Sequence, residues 1–280
     1  MEYNQGEHQG VLHSKTSVPF VTFPELTKFD FIKHGFSTKL GGVSSDQFST
    51  LNLSFSRGDD EEKVRENYNR ILKSMELQQT HAIFSDQVHD TKVYRVTKKD
   101  IPTDNPYERK LVGIDGLITN EPNLTLITSY ADCVPLFFVD PVKKAIGLSH
   151  SGWKGTVGKI GKKTVEAMTK EFGSDPKDII AVIGPSICFD CYEISKDVAD
   201  EFCMEFQKNE TDLFLYDKGN GKYQLDLWLA NEIILKEAGI LTSNMSNSNI
   251  CTCCNNRLFY SHRASKGMRG NLAAFLSIVS

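Results

Sequence analysis

Two short apolar runs joined by a turn constrain this chain more than any other feature of its sequence. The runs, VPLFFV and AIGLSH, are rich in Val, Ile, Leu and Phe, and the turn-like segment DPVKK separates them. Runs of this length and composition predict neighbouring buried strands. Cys133 stands just before the first run, and His150 closes the second. A strand pair would therefore hold a cysteine and a histidine rigidly at one rim of the fold.

A glycine-rich segment, SGWKGTVGKIG, follows His150 and leads into a helical pattern. Apolar residues at helical spacing predict a helix over about residues 155–172. The free backbone N–H groups at a helix start could receive an anion. We therefore expect the loop, the helix start, Cys133 and His150 to share one rim, which is the candidate active site.

Length and charge exclude several classes of protein. A chain of 280 residues is near the upper size for one hydrophobic core, so one large domain is the first expectation and two smaller domains are the second. A net charge of −4 gives no general attraction for nucleic acid or anionic lipid.

The polar sequence of residues 1–18 predicts a flexible leader that lacks the apolar core of a secretory signal. No apolar run is long enough to span a membrane. We expect a cytoplasmic protein with its domain over residues 19–280 and with neither nucleic acid nor membrane as a partner.

The remaining segments alternate between helical and strand patterns. Helices are predicted over about residues 60–76, in SKDVADEFCMEF with Ser195 as N-cap, and in LDLWLANEIILKEAGI. HAIFSDQVHDTKVYRVT predicts a strand pair with His89 where the two strands meet, and NICTCC, RLFYSHRAS and LAAFLSIVS predict the final strands. Because short strand pairs are frequent, we favour a single α/β domain with mixed β-sheets sandwiched with helices over a doubly wound parallel sheet.

Three residues form a candidate metal site. His89, Cys133 and His150 together make an acceptable three-ligand zinc shell with a fourth place open for water. Their spacing matches no compact zinc finger or ribbon, so the pattern alone does not decide between a metal site and structural residues.

The chain has seven cysteines, an odd number that suggests free thiols in a reducing compartment. Cys188 and Cys191 could join Cys251, Cys253 and Cys254 in a structural zinc site. We do not predict that site, because we take the group to lack two well-spaced CxxC pairs and each segment also has the pattern of a buried strand. A redox pair at Cys188 and Cys191 would need a thioredoxin-like context, which is missing from the sequence.

A series of motifs runs in order from about residue 30 to the C-terminus: HGFSTKLGGVS, LNLSFSRGDDEEKVRENYNRIL, SDQVH, DGLIT, TSYADCVPLFFVDP, IGLSHSGWKGT, IGPSICFDCYEI and FYSHRASKGMRGNLAAFL. In content and order this series resembles the laccase-domain family, also called multicopper polyphenol oxidoreductases or purine nucleoside phosphorylases of the laccase-domain type. Near the C-terminus, MRGNLAAF stands in place of the family's more usual GRM-A-A pattern.

The resemblance implies a single α/β domain and a zinc-dependent enzyme acting on purine nucleosides and phosphate. The family's ligand histidines and cysteine correspond to His89, Cys133 and His150, so the resemblance implies that these three bind the metal and serve catalysis. It also implies phosphorolysis of adenosine, inosine, guanosine and methylthioadenosine, together with deamination of adenosine. Zinc is the expected cofactor, with copper less favoured.

Both reactions would need groups besides the metal ligands. Deamination requires a proton shuttle, for which Asp132 is the acid nearest to Cys133 in sequence, although strand alternation would point it to the opposite face. Phosphate requires cationic or N–H donors. The candidates are Lys39, Arg57, Lys154, Arg263 and the helix start after Gly155. Candidate aromatic residues for stacking on the base are Phe36, Trp153 and Tyr260.

Three other functions compete with this expectation. A copper-dependent polyphenol oxidase would use two histidines and a cysteine, but a laccase also needs a trinuclear copper cluster, and the chain has seven histidines and no HxH pair. A cysteine hydrolase would use Cys133 as nucleophile with His150 or His89 as base. The last alternative is a non-catalytic partner protein. The sequence leaves the preferred nucleoside and the oligomeric state open.

Overall fold

The computed structural model describes residues 10–279, which form helices and strands from nearly every part of the chain. The strands are β1 (Val11–His13), β2 (Phe20–Thr22), β3 (Ile32–Ser37), β4 (Ala82–Asp86), β5 (Val93–Arg95), β6 (Leu111–Val112), β7 (Gly116–Thr119), β8 (Thr125–Tyr130), β9 (Val134–Asp140), β10 (Ala145–Ser151), β11 (Ile180–Ile183), β12 (Glu193–Ser195), β13 (Leu215–Asp217), β14 (Lys222–Leu225), β15 (Met245–Asn247) and β16 (Leu272–Ile278). The α-helices are α1 (Pro24–Thr27), α2 (Glu61–Ser74), α3 (Trp153–Val157), α4 (Ile160–Phe172), α5 (Lys196–Glu205), α6 (Lys208–Phe214) and α7 (Leu227–Glu237).

Within the described residues, the strands form two large sheets and one small one. The order of the first sheet is β1-β2-β3-β16-β8-β4-β6, and that of the second is β15-β11-β9-β10-β7-β5. The third contains β12, β14 and β13. Both large sheets combine parallel and antiparallel pairs. The prediction of a single α/β domain with mixed sheets is therefore confirmed.

The core has three parts, which define the order of the layers. One apolar cluster lies between the two large sheets, a second lies between the second sheet and helices α4, α5 and α7, and a third joins α2 to the first sheet. The β9 strand contributes Phe137 to the first cluster and Leu136 and Phe138 to the second. Alternate residues of this strand are therefore buried on both faces, which explains its continuous apolar sequence.

The predicted strand pair at the centre of the chain is confirmed. β9 and β10 are antiparallel neighbours, with His150 opposite Pro135 and Ser151 opposite Val134. Asp140 stabilises the turn between them, because its Oδ1 accepts hydrogen bonds from the backbone N–H groups of Val142 and Lys143. The start of β9 and the end of β10 therefore lie side by side.

Most predicted helices are also confirmed. The prediction over residues 60–76 corresponds to α2, and the two later patterns correspond to α5 and α7. Ser195 is the N-cap of α5, although its side chain makes no capping hydrogen bond. The prediction over residues 155–172 is only partly right, because two helices, α3 and α4, cover the segment. Lys159 separates them in the left-handed conformation, with φ of 56°.

Three strand predictions are wrong, one of a pairing and two of single strands. β4 and β5 do not pair, since β4 belongs to the first large sheet and β5 to the second, so the segment between them crosses from one sheet to the other. NICTCC and RLFYSHRAS form turns, with only an isolated bridge between Ser186 and Cys251. Local backbone bonds, such as Asn255 N–H to Cys251 O at 3.0 Å, hold this segment in turns instead of a ladder.

The described part of the predicted leader is more regular than expected. β1 pairs with β2 at the edge of the first sheet, and Val18 is buried in the cluster under α2. Residues 1–9 of the predicted leader lie outside the described residues. No helix within residues 10–279 combines the length and the apolar character that crossing a membrane would require.

Candidate active site

Three chain segments bring His89, Cys133 and His150 together. Cys133 directly precedes β9, His150 is the penultimate residue of β10, and His89 lies in the crossing segment after β4 with φ of 63°. The Cys133 Sγ and one ring nitrogen of each histidine all lie within 4.8 Å of one another, and Cys133 Sγ lies 4.0 Å from His89 Nε2. The strand pairing predicted from sequence therefore positions two members, and the crossing segment supplies the third.

Asp115 fixes the orientation of this group from behind. Its side chain is fully buried, and His150 Nδ1 lies 2.8 Å from its Oδ1. The same carboxylate accepts hydrogen bonds from the backbone N–H groups of Val88, His89 and Asp90 at 3.0–3.1 Å. One buried carboxylate thus holds both the His150 ring and the backbone that carries His89.

The electrostatics of the site favour charged forms. Burial alone would raise the pKa of the Cys133 thiol, but the charge of His150 and hydrogen bonds from both histidines lower it to about 6. Burial alone would lower the pKa of His150, but Cys133 and Asp115 raise it to about 9. For Asp115, contact with His150 and the backbone donors outweighs burial and lowers the pKa. Cys133 and His150 therefore each favour the charged form of the other.

Gly152 leaves space for the group. A Cβ atom at this position would lie 3.0 Å from His89 Cδ2 and 3.1 Å from Cys133 Sγ, which is closer than ordinary contact. The loop that follows β10 can pass beside the cysteine and the histidine because this residue has no side chain.

The donor set suits a thiophilic metal ion. Two imidazoles and a thiolate are common zinc ligands, and three protein ligands leave a coordination position open for water or substrate. A carboxylate bound to the second nitrogen of a ligand histidine is a frequent feature of zinc sites, where it fixes the tautomer and the ring. His89, Cys133 and His150, with Asp115 behind them, fit this description.

The three residues line a cleft of about 200 Å³. Arg57, Arg109 and Arg269 also line it. The Nε atoms of Arg109 and Arg269 are buried and have no hydrogen-bond partner among the described residues. Burial and the nearby charge of Arg57 lower the pKa of Arg269 to about 10. Three cationic groups, two of them with an unpaired buried Nε, give the cleft a preference for an anion.

The other predicted phosphate ligands do not line this cleft. Lys39 lies beside a different cavity, and its Nζ donates a hydrogen bond to Asn256 O at 2.6 Å. Lys154 lies in the five-residue helix α3, with its Nζ 5.5 Å from the centre of the Trp153 ring. The Arg263 guanidinium donates to backbone carbonyls, including Glu193 O at 2.7 Å. Of the four basic side chains predicted to bind substrate, only Arg57 lines the cleft.

The predicted stacking residues also lie elsewhere. Phe36 is in the core between the sheets, Trp153 packs against the core under the helices, and Tyr260 lines the same cavity as Lys39. Tyr130 is an aromatic residue that does line the cleft.

Asp132 does not line the cleft, but strand alternation is not the reason, because the residue lies in the bend between β8 and β9 with φ of 85°. Its Oδ1 accepts a hydrogen bond from Thr252 Oγ1 at 2.7 Å, and its Oδ2 accepts from Ser261 Oγ and the Arg263 N–H. These bonds tie the residue next to Cys133 to the C-terminal turns. Among the described residues, Asp86 is the one carboxylate that lines the cleft.

Sequence reasoning missed Asp115, Arg109, Arg269 and Asp86. Asp115 begins the DGLIT motif, but an Asp-Gly pair also has the pattern of an ordinary turn. The arginines and Asp86 lie in loops or at a strand end, and only the fold places them opposite Cys133. Arg269 belongs to MRGNLAAF, the segment that departs from the family pattern.

The chain belongs to the protein family described as multi-copper polyphenol oxidoreductase laccase, which matches residues 33–279. The family resemblance drawn from the sequence motifs is therefore confirmed, and the relatives below bear enzyme names.

Two curated relatives and one solved structure illustrate the similarity. The chain is 40% identical over 245 residues to purine nucleoside phosphorylase YlmD of Bacillus subtilis, covering 87% of each protein. It is 32% identical over 246 residues to adenosine deaminase RL5 of an unknown prokaryotic organism, covering 85% of this chain and 93% of that protein. The crystal structure of YlmD from Geobacillus stearothermophilus matches with a TM-score of 0.90 and 31% identity, covering 98% of this chain and 100% of that one.

Proposed function

We propose that this chain is a zinc-dependent purine nucleoside phosphorylase that also deaminates adenosine. Phosphorolysis would convert adenosine, inosine or guanosine with phosphate into the free base and ribose 1-phosphate, and methylthioadenosine into adenine and 5-methylthioribose 1-phosphate. The names of the two curated relatives support both reaction classes. The cytoplasmic location expected from the sequence stays a prediction.

One observation carries the proposal: a possible metal-binding group and three arginines line the same cleft. His89, Cys133 and His150 would hold zinc on one side, and Arg57, Arg109 and Arg269 would bind phosphate. A site for an anion beside a site for a Lewis acid matches a reaction whose second substrate is phosphate.

The roles of the chain's own residues follow from their contacts. Asp115 holds a proton on His150 Nδ1, so a metal ion would displace the proton on Nε2 and use that nitrogen as its ligand. The low pKa of Cys133 makes its thiolate available near neutral pH. The chemistry that zinc supplies when bound is Lewis-acid polarisation and the activation of water near neutral pH.

The remaining groups in the cleft serve the two reactions differently. The arginines would hold phosphate near C1′ of the ribose and stabilise its charge as the base departs. Deamination uses water instead of phosphate and needs a proton carrier. We propose Asp86 for this role in place of Asp132, because Asp86 lines the cleft whereas Asp132 is bound to Thr252 and Ser261.

The test compares zinc content and activity in the wild type, Cys133→Ala and Cys203→Ser. Cys203 is an exposed thiol, so its replacement by serine controls for the loss of a cysteine elsewhere. We expect Cys133→Ala to contain one zinc ion fewer than the wild type and to lose both phosphorolysis and deamination, while Cys203→Ser keeps them. Full activity in Cys133→Ala would refute the proposal.

A cysteine hydrolase is the second candidate, and one observation favours it. Cys133, His150 and Asp115 form a chain of contacts like that of a catalytic triad, with a thiolate already formed. His89 argues against this function, because a triad does not require a second imidazole at the thiolate. Alkylation of Cys133 at the same rate with and without added zinc would favour the hydrolase.

A copper-dependent polyphenol oxidase fits the described ligands less well. Apart from the His89 group, the possible metal-binding group found within residues 10–279 consists of four cysteines and contains no histidine. A trinuclear copper cluster would need a further set of imidazoles. Strong visible absorption with stoichiometric copper in the purified protein would overturn the choice of zinc.

A further inference from the structure

A second sulfur-rich group lies outside the cleft. The sulfur atoms of Cys188, Cys191, Cys251 and Cys254 all lie within 4.8 Å of one another. Cys191 Sγ is 3.4 Å from Cys254 Sγ, and Cys188 Sγ is 4.0 Å from the same atom. Cys188 and Cys251 are buried, and the other two are partly exposed. Four thiols at these separations have no role in the proposed reaction.

Two chain segments that are distant in sequence form the group. Cys188 and Cys191 flank a short turn after β11, and Cys251 pairs with Ser186 in an isolated parallel bridge. Cys251 and Cys254 are themselves three residues apart, so each segment supplies a CxxC pair. The sequence-based reasoning that the group lacks two such pairs is therefore wrong, because it overlooked the pair that encloses Cys253.

The backbone around the group is arranged for thiolates. The N–H groups of Cys188 and Cys254 both donate hydrogen bonds to Cys251 Sγ, at 3.3 and 3.4 Å. Four thiolates held this close together would repel one another, and a bound cation would remove that repulsion.

We propose that Cys188, Cys191, Cys251 and Cys254 form a closed structural zinc site. Tetrahedral coordination with Zn–S distances of about 2.3 Å requires neighbouring sulfurs about 3.8 Å apart. The observed 3.4 and 4.0 Å bracket this value. Each thiol loses its proton on binding, so four thiolates and one Zn²⁺ leave a net charge of −2. The two N–H groups at Cys251 stabilise that charge.

The site would stabilise the segment that carries Cys133. Ile187, next to Cys188, donates its N–H to Asp132 O at 3.0 Å, and Thr252, next to Cys251, donates its hydroxyl to Asp132 Oδ1 at 2.7 Å. Both cysteine segments therefore hold Asp132, which precedes Cys133. Zinc in this group would have a structural role, because four protein ligands leave no coordination position open.

The decisive sample is the Cys133→Ala variant, which leaves the four-cysteine group intact. We expect it to retain about one zinc ion per chain, and X-ray absorption should give a shell of four sulfur atoms at about 2.3 Å. An absence of zinc, a shell that contains nitrogen, or iron in place of zinc would each overturn the proposal. This readout does not depend on nucleoside turnover, so it is separate from the test of the proposed function.

Cysteine substitutions provide the complementary test. Cys188→Ser should lose one zinc ion and unfold at a lower temperature, whereas Cys203→Ser should retain the zinc content and stability of the wild type. Thiol titration of the denatured, metal-free wild type should count all seven cysteines. A count of five would indicate a disulfide and overturn the proposal, as would unchanged zinc content in folded Cys188→Ser.

Discussion

Asp115→Asn tests how the buried carboxylate supports the candidate metal site. Oδ1 of Asp115 accepts from the His89 N–H and lies 2.8 Å from His150 Nδ1, and Oδ2 accepts from the N–H groups of Val88 and Asp90. Asparagine has one acceptor oxygen and one NH₂ donor. One orientation of the amide therefore loses two of the four hydrogen bonds, and the other loses one and reverses the direction of the bond to His150.

The two orientations have different costs. If the amide NH₂ faces Val88 and Asp90, their backbone N–H groups lose their acceptors, and each loss lowers the free energy of unfolding by about 1–3 kcal/mol. An NH₂ group towards His150 would leave one N–H unpaired and would require His150 Nδ1 to become an acceptor. The second orientation costs less in stability, about 1–3 kcal/mol, but places the His150 proton on Nε2. We therefore expect zinc binding at His89, Cys133 and His150 to weaken about 10- to 100-fold.

The assay measures the zinc concentration that restores half of the adenosine activity after chelation, together with thermal unfolding. Asp140→Asn is the matched control, because Asp140 is equally buried but lies at the far end of β9. Its Oδ1 alone accepts from Val142 and Lys143, so asparagine can keep both bonds. Wild-type zinc dependence in Asp115→Asn would refute the role given to Asp115.

Three further predictions follow from local geometry. Gly152→Ala should weaken zinc binding in the cleft, because the added Cβ would lie 3.0 Å from His89 and 3.1 Å from Cys133 and displace one of them. Gly161→Ala is the control, since its Cβ would meet only the ends of side chains at 3.3 Å or more. Equal zinc dependence in both variants would contradict this prediction. Arg57→Gln should raise KM for phosphate about tenfold and leave deamination nearly unchanged, since only phosphorolysis uses the anion; equal effects on both reactions would argue against phosphate at Arg57. Burial lowers the pKa of His34 to about 4, so the unfolded chain binds more protons between about pH 4 and 6.5, and stability falls as the pH drops through this window. The variant His34→Gln keeps an acceptor for the Phe23 N–H. Between pH 7 and 5, the free energy of unfolding of this variant should fall by about 2 kcal/mol less than that of the wild type. An equal fall in both proteins would exclude His34 as the cause of the pH dependence.

The sequence predicted features that depend on nearby residues. The apolar runs around DPVKK predicted the β9–β10 pair, and that pair alone places Cys133 beside His150. Helical periodicity likewise predicted α2 and α7. In each helix one face is buried in an apolar cluster, which gives the sequence its periodic apolar residues. These predictions succeeded because short-range patterns determine both features.

The sequence could not predict contacts that arise only when distant segments meet. Asp115 forms hydrogen bonds with the segment between β4 and β5 and with His150. The residues next to Asp115 in the sequence indicate none of these partners. Arg109 and Arg269 come from loops 160 residues apart, so their shared cleft depends on the complete sheet. Ser261, in a segment predicted to be a strand, instead lies in a turn that binds Asp132.

The most direct test of the proposed function uses the wild-type protein, stripped of metal and then restored with zinc. Adenosine is incubated with and without phosphate, and the products are separated by chromatography. We expect the zinc-restored protein to form adenine only when phosphate is present and inosine in either case, and we expect the stripped protein to form neither. Equal turnover by the stripped protein, or unchanged adenosine after zinc is restored, would contradict the assignment of His89, Cys133 and His150 to a zinc-dependent nucleoside site.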